Sequence, residues 1–326
     1  MEIPKGGPAA SPAITGWGAG DNPGFNTLVF NPTFGYAPPV KFQKIAILGV
    51  GLLGGSIGLA VRQRRLAREV AGYVRRSASL AECERAGALD YATTDLLAAV
   101  SGADLVILCT PLAQMRAITA QFLPALRAGA VVTDVGSVKA SVVRDLETLI
   151  TQAGAHFVGS HPMAGGEKTG VLASRADLFA HAVCVVTPTK KSHAPAVTAV
   201  ETFWHDLGAR TLRLTPNEHD KLVSRSSHLP HVVAATLASQ VLRPQKSAAQ
   251  GTLCATGFRD TTRIASGSPE MWRDIALANQ AHLADAVGGF IVELENFQRS
   301  LLKGDEKAVE KFFATAKQRR DEWCAE

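Results

Sequence analysis

The run Lys44-Ile45-Ala46-Ile47-Leu48-Gly49-Val50-Gly51-Leu52-Leu53-Gly54 constrains this chain more than any other. A strand pattern over 44–48 leads straight into Gly-x-Gly-x-x-Gly, and a helical pattern over 52–64 follows. Strand, glycine loop and helix in that order form a dinucleotide-binding fingerprint. Gly49 permits the tight turn, Gly51 lets the backbone approach a pyrophosphate, and Gly54 lets the helix pack on the sheet. The helix amino terminus at Leu52 and Leu53 turns its N–H groups and partial positive charge toward the phosphates.

Beyond the loop, short apolar runs alternate with helical stretches. Strands are predicted at 69–74, 104–109, 130–134, 156–159, 183–187 and 210–214, with a helix over 196–207 before the last. This alternation predicts an α/β, Rossmann-like, mainly parallel sheet with helices on both faces. After Thr215-Pro216 the strand signals stop, and helices are expected over 218–241, 272–297 and 305–317. Val292, Leu294 and Phe297 fit a single helical face poorly, which predicts burial on more than one side. The expected layout is a flexible Gly/Pro-rich leader over 1–40, a Rossmann-like NADP-binding domain over 41–215 and an all-helical substrate and dimerisation domain over 216–326. By architectural analogy such helical regions intertwine, so a homodimer is expected.

The formal charge of +5 raises the question of nucleic acid, but no nucleic-acid motif is present. Arg62, Arg64, Arg65, Arg68, Arg75 and Arg76 instead cluster behind the glycine loop, where a phosphorylated cofactor would sit. Five scattered cysteines without a Cys-x-x-Cys pair predict a reducing, cytoplasmic setting. No apolar run has the ~18 residues of a membrane span, and the leader lacks the apolar core of a signal peptide.

Cofactor choice is written after the second strand. NAD sites place Asp or Glu there for the ribose 2′-hydroxyl. This chain has Gly72-Tyr73-Val74-Arg75-Arg76-Ser77, with two guanidinium groups and a hydroxyl suited to a 2′-phosphate. NADP is therefore preferred, with NAD the alternative and solvated arginines the bland reading. Thr110-Pro111 ends the next strand and is expected to line the nicotinamide side.

Two further strand ends carry chemistry: Asp134-Val135-Gly136-Ser137-Val138-Lys139 and Gly159-Ser160-His161-Pro162-Met163-Ala164-Gly165. In an open parallel sheet both ends meet at the ligand crevice. His161, displayed between turn-forming residues, is suited to taking a hydroxyl proton at neutral pH, and Ser137 to holding the substrate oxygen or the imidazole. Of the other histidines, His156, His181, His193, His205, His219 and His282 have no supporting context. In Ser227-His228-Leu229-Pro230-His231 the three-residue spacing puts both rings on neighbouring helical positions if the helix survives Pro230. A metal is not expected there, because no third ligand has suitable spacing.

The ordered set of motifs, from the glycine loop through Asp-x-Gly-Ser-Val-Lys, His-Pro-Met-Ala-Gly and His-Leu-Pro-His, resembles the prephenate/arogenate (cyclohexadienyl) dehydrogenase family over about residues 44–290. Phe258-Arg259-Asp260-Thr261-Thr262-Arg263 and Met271-Trp272-Arg273-Asp274 extend the likeness. The resemblance implies oxidative decarboxylation of prephenate or arogenate with hydride transfer to NAD(P), on the route to tyrosine. It implies His161 as catalytic base and Ser137 as its hydrogen-bonding partner. Arg263 would bind a substrate carboxylate, His231 and more weakly His228 would hold the substrate, Trp272 would shape the pocket wall, and Glu167 would gate it. Trp272 as an interhelical core aromatic and Glu167 as a solvated carboxylate are the alternatives. Gly166 and the run Ala255-Thr256-Gly257-Phe258 depart from the family pattern, which leaves substrate preference and inhibition by tyrosine open. Neither a regulatory domain after Trp323 nor a chorismate mutase region ahead of the loop is expected.

Two other classes compete. A β-hydroxyacid-type NADP-dependent dehydrogenase would use a lysine base, for which Lys221 is the only candidate by position. A non-catalytic NADPH-binding sensor would keep the glycine loop without Ser137, His161 and Arg263.

Overall fold

The computed structural model describes residues 40–166, 168–243 and 248–325. The expected leader (except Val40) and Glu167 lie outside the described residues. An eight-stranded sheet has the order β3-β2-β1-β4-β5-β6-β7-β8. Its first half comprises β1 (Phe42–Leu48), β2 (Ala67–Tyr73), β3 (Tyr91–Thr93) and β4 (Leu105–Leu108). The second half comprises β5 (Val131–Asp134), β6 (His156–Pro162), β7 (Val183–Thr187) and β8 (Arg210–Arg213).

Strand residues alternate between two cores. Ile45, Ile47, Leu105 and Ile107 enter one cluster, and Ala46, Leu48, Val106 and Leu108 enter the other. Apolar residues on both faces require cover on both, supplied by α1 (Leu52–Gln63), α2 (Ala78–Ala86), α3 (Leu96–Val100), α4 (Leu112–Phe122), α5 (Ala140–Gln152) and α6 (Ala194–Asp206). Strand order reverses direction between β1 and β4, so the crevice opens where Gly49–Gly51 and Cys109–Pro111 leave the sheet.

One pair breaks the parallel pattern. β6 and β7 run antiparallel, with His161 opposite Val185. Parallel neighbours need a crossover helix. Among the described residues only the three-residue 3₁₀ turn Val171–Ala173 lies between the strands. His161 is consequently a strand residue, not the loop residue its turn-forming neighbours predicted.

The helical region starts at α7 (Pro216–Val223), capped reciprocally by Thr215 and Glu218. A π-helical turn, Ser224–His228, joins it to α8 (Leu229–Val241). Pro230 has no N–H to give the preceding turn, and the wide turn accommodates that loss. Then follow α9 (Ala248–Thr252), α10 (Thr256–Thr262), the 3₁₀ turn Arg263–Ser266, α11 (Pro269–Ala278), α12 (Gln280–Lys303) and α13 (Glu306–Ala325). The helix expected over 272–297 is really two, bent by 96° at buried Asn279. Val292 and Leu294 are 52% and 50% exposed, contrary to the expected burial, whereas Phe297 packs on Phe312 and Phe313. Among the described residues no single helix is long and apolar enough to cross a membrane.

Candidate active site

The glycine loop forms as its spacing requires. Gly49 has φ +100°, and a Cβ there would lie 2.8 Å from the Cys109 carbonyl oxygen, so no side chain fits. A Cβ on Gly54 would strike the Gly49 carbonyl, while one on Gly51 would meet nothing within 4 Å. Gly51 thus leaves room for a ligand at the amino terminus of α1, which has no side-chain cap. Leu52 and Leu53 pack toward the core.

A cleft of about 680 Å³ opens there, lined by Gly49, Val50, Gly51, Tyr73, Arg75, Arg76, Ser79, Thr110 and Pro111 among others. Thr110 Oγ1 is buried without a hydrogen-bond partner among the described residues. An open glycine turn, free helix N–H groups, two arginines and an orphaned hydroxyl together fit a dinucleotide. Ser77 is exposed ahead of α2 and does not line the cleft; Ser79, the second residue of that helix, does. The arginine cluster divides: Arg62 bonds the Gly87 and Leu89 carbonyls and pairs with Asp90, and Arg64 bonds the Asp206 carbonyl. Arg75 and Arg76 make no ion pair among the described residues.

His161 sits three strands along the sheet from β1, on the order of 14 Å at ~4.8 Å per strand. The segment after it folds back onto α1: Ala164 joins the core that holds Leu52, and Ser174 Oγ donates to the carbonyls of Gly51 (3.3 Å) and Leu52 (3.2 Å). The segment that follows the base candidate is thereby tied to the glycine loop, while His161 itself does not line the cleft.

The Asp134–Lys139 motif anchors the strand that bears His161. Fully buried Lys139 pairs through Nζ with Asp134 Oδ2 and donates to the Ser160 carbonyl at 2.8 Å. Asp134 Oδ1 accepts from Ser160 N at 3.1 Å, and Oδ2 accepts from Gly136 N at 2.8 Å. A Cβ on Gly136 would sit 2.9 Å from the buried Asp134 Oδ2 and 2.7 Å from Leu112 Cδ2. Ser160 Oγ donates to the Asp134 carbonyl (2.6 Å) and accepts from Trp204 Nε1 (3.0 Å). Burial pulls the Lys139 ammonium below its ordinary range, against the opposing pull of Asp134.

His161 is 7% exposed, and its Nδ1 lies 2.8 Å from His219 Nε2. His219 Nδ1 in turn lies 2.7 Å from Asp220 Oδ1. Burial holds the His161 imidazole well below the ordinary histidine value, and His219, Lys139 and His228 push the same way. His219 was among the histidines without sequence context, yet it is the nearest polar partner of the base candidate. The signal available was the His-Asp dipeptide directly behind a Thr-Pro-x-Glu helix start. Ser137 is half-buried and makes no side-chain hydrogen bond among the described residues, so the imidazole's bond goes to His219.

The helical region closes the other side. His231 stacks on Trp272 with ring centroids 3.6 Å apart, and His228 meets the same indole edge-on at 6.1 Å. His231 Nδ1 donates to the Ser227 carbonyl (3.0 Å), while His228 Nδ1 accepts from Asn279 Nδ2 (3.2 Å), which also donates to the Asp220 carbonyl (2.8 Å). His228 Nε2 is buried without a hydrogen bond of ordinary geometry among the described residues, and burial lowers this group to about 4. Arg263 is exposed at the start of a 3₁₀ turn that packs on α8, the helix of His231. Lys221 is exposed on α7.

A doubly wound sheet with a dinucleotide cleft, and a neutral, buried imidazole whose following segment bonds the glycine loop, define an NAD(P)-dependent dehydrogenase. Residues 57–213 match the nucleotide-binding domain of prephenate dehydrogenase, and residues 215–318 match its dimerization domain. The chain therefore belongs to the prephenate dehydrogenase family. It is 33% identical over 279 residues to the prephenate dehydrogenase of Bacillus subtilis, covering 85% of this chain and 75% of that one. Identity to the cyclohexadienyl dehydrogenase of Zymomonas mobilis is 34% over 270 residues, or 81% and 90% of the two chains. A crystal structure of A. aeolicus prephenate dehydrogenase with hydroxyphenyl propionate and NAD+ superposes with a TM-score of 0.80 at 32% identity, covering 86% of this chain and 98% of the other.

Proposed function

We propose that this chain catalyses the oxidative decarboxylation of prephenate or arogenate, with His161 as the base. A bound nicotinamide cofactor supplies the hydride acceptor. His161 Nε2 takes the ring hydroxyl proton, the oxygen becomes a carbonyl as hydride leaves its carbon, and the electrons of the departing carboxylate restore the aromatic ring. Aromatisation drives the step, so the protein's work is to orient the ring, accept one proton and hold carboxylates. Arg263 binds a substrate carboxylate, His231 and Trp272 form the substrate-side wall with His228 behind them, and Ser137 orients the hydroxyl. Glu167 gates the pocket in this reading.

The observation that carries the proposal is the buried, neutral His161 on the strand whose following segment bonds the glycine loop through Ser174. Arg75 and Arg76 favour NADP over NAD, since each can fork onto a 2′-phosphate. Ile291, Val292, Leu294, Leu301 and Leu302 leave an apolar surface on α12 open to solvent, with Leu302 81% exposed. Together with the match to a dimerization domain, that surface supports a homodimer. Tyrosine, which shares the product's aromatic ring, is the expected inhibitor, and scattered thiols suit the cytoplasm.

The test is a comparison of kcat/KM for prephenate and arogenate, each with NADP and NAD, against a panel of 3-hydroxy acids. Turnover of either cyclohexadiene above the hydroxy acids supports the proposal; turnover of hydroxy acids alone overturns it.

A further inference from the structure

The chain His161–His219–Asp220 crosses from the sheet to the helical region, and each link has a fixed polarity. Asp220 Oδ1 accepts from Lys139 N at 2.7 Å, and Oδ2 accepts from Ala140 N at 2.9 Å. These are the first backbone groups of α5, which has no side-chain cap of its own, so Asp220 caps that helix from another element. A carboxylate only accepts hydrogen bonds, so the His219 Nδ1 contact at 2.7 Å must be an N–H donated to it. The other nitrogen of a neutral His219 is then a lone pair. It can only accept, and the 2.8 Å bond to His161 must be donated by His161 Nδ1–H. That leaves the His161 Nε2 lone pair as the site for an incoming proton. The reverse polarity would need a doubly protonated His219, and burial together with nearby Lys139 opposes that charge.

We infer that His219 and Asp220 are positioning residues that hold His161 in the Nδ1–H tautomer and face the imidazolium it becomes during turnover. The inference rests on His161 being the base. The relay moves no net proton: His161 gains one at Nε2, its Nδ1 proton stays in the bond to His219, and the His219 proton stays on the bond to Asp220. The new positive charge meets an oriented acceptor whose far end is a carboxylate. All three side chains are buried, so the arrangement works where water does not screen it. Their rings are also locked in place, His161 and His219 meeting edge-on with centroids 5.0 Å apart.

The dependence on both regions is physical. The base rides on β6 and its partner on α7, and Asn279 at the α11–α12 bend bonds the Asp220 carbonyl. Docking of the helical region onto α5 thus sets the tautomer of a residue in the sheet.

The test uses the full-length chain. In 15N-histidine NMR spectra of the unmodified protein, His161 is expected as the Nδ1–H tautomer with Nε2 unprotonated; the Nε2–H tautomer would overturn the inference. His219→Ala is expected to lower kcat about 100-fold while KM stays within about threefold. His219→Gln, whose carbonyl can still accept from His161, is expected to recover at least about tenfold of that loss. A His219→Ala protein that binds cofactor normally and keeps the full kcat would sink the relay. Should His219→Ala fail to fold, the tautomer of the unmodified protein decides. Full activity in His161→Asn would instead remove the base assignment itself, whereas an inactive His161→Asn beside a fully active His219→Ala removes only the relay.

Discussion

His161 on β6 and His219 on α7 face each other across 2.8 Å, 58 residues apart in sequence. Both side chains are buried, and both imidazoles are pushed by burial below the ordinary histidine value. A neutral ring with Nδ1 engaged and Nε2 left to accept is the state a general base needs at neutral pH. His161→Asn keeps the size of the side chain but removes that lone pair. It is expected to cost about 10²–10⁴ in kcat with cofactor affinity unchanged, read by single-turnover kinetics and cofactor titration. Loss of cofactor binding alongside activity would point to a structural role.

Stability should carry the same histidines' signature. Burial brings His228 down to about 4, while in the unfolded chain an imidazole titrates near ~6.5. The folded value is the lower one, so the unfolded chain takes the proton first. Stability is full above the unfolded value and is lost as pH falls toward the folded one. For His228 alone the loss amounts to about 3 kcal/mol, and His161 and His219 act in the same direction. Urea midpoints should therefore drop between about pH 7.5 and about pH 5, less so in His228→Gln. A flat profile would mean that these rings titrate in the fold as they do in the unfolded chain.

Much of the fold could be read from the chain because its signals are local. The glycine loop, the apolar strand runs and the change of character after Thr215-Pro216 each lie within a few residues, and each element formed near its expected place. The family motifs were legible for the same reason. What escaped was set by distance. The His219-Asp220 dipeptide names no partner; the packing of α7 on α5 and β7 brings His219 to His161. The helix break at Asn279 depends on a side chain that bonds Asp220 and His228, 59 and 51 residues away. The antiparallel turn of β6 onto β7 follows from a crossover helix that the intervening sequence does not supply. Val292 and Leu294 read as core because apolar periodicity does not say whether the covering surface belongs to the same chain.

Cofactor selection tests the two arginines on the cleft wall. Arg62 and Arg64 are committed to carbonyls and Asp90, so Arg75 and Arg76 are the members of the cluster that line the cleft. In Arg75→Ala/Arg76→Ala, kcat/KM with NADP is expected to fall about 10- to 100-fold, as for loss of charge-assisted bonds, with little change for NAD. Equal losses with both cofactors would assign the arginines to the common pyrophosphate or to folding.

On the substrate side, Arg263 begins the turn that packs on the helix of His231. A guanidinium fork matches a carboxylate better than any other side chain. Arg263→Ala should raise KM about 10- to 100-fold and leave cofactor affinity intact; Arg263→Lys, keeping charge but not the fork, should fall between. An unchanged KM in Arg263→Ala would take this residue out of the pocket.

The Asp134–Lys139 pair makes a separable prediction about how β6 is held. Both groups are fully buried, and Lys139 also donates to Ser160, the residue before His161. Removing one member of a buried pair leaves its partner charged and unsolvated, typically a loss of about 3–5 kcal/mol. Lys139→Met is therefore expected to lower the urea midpoint strongly. Asp134→Asn/Lys139→Met removes both charges while keeping an acceptor for Ser160 N, and should recover part of the loss. If the pair serves to seat His161, the double variant will regain stability without regaining kcat, because nothing then holds the Ser160 carbonyl. Equal recovery of both would reduce Lys139 to a packing residue, and a single variant as stable as the unmodified chain would mean that the ammonium is already neutral in the fold.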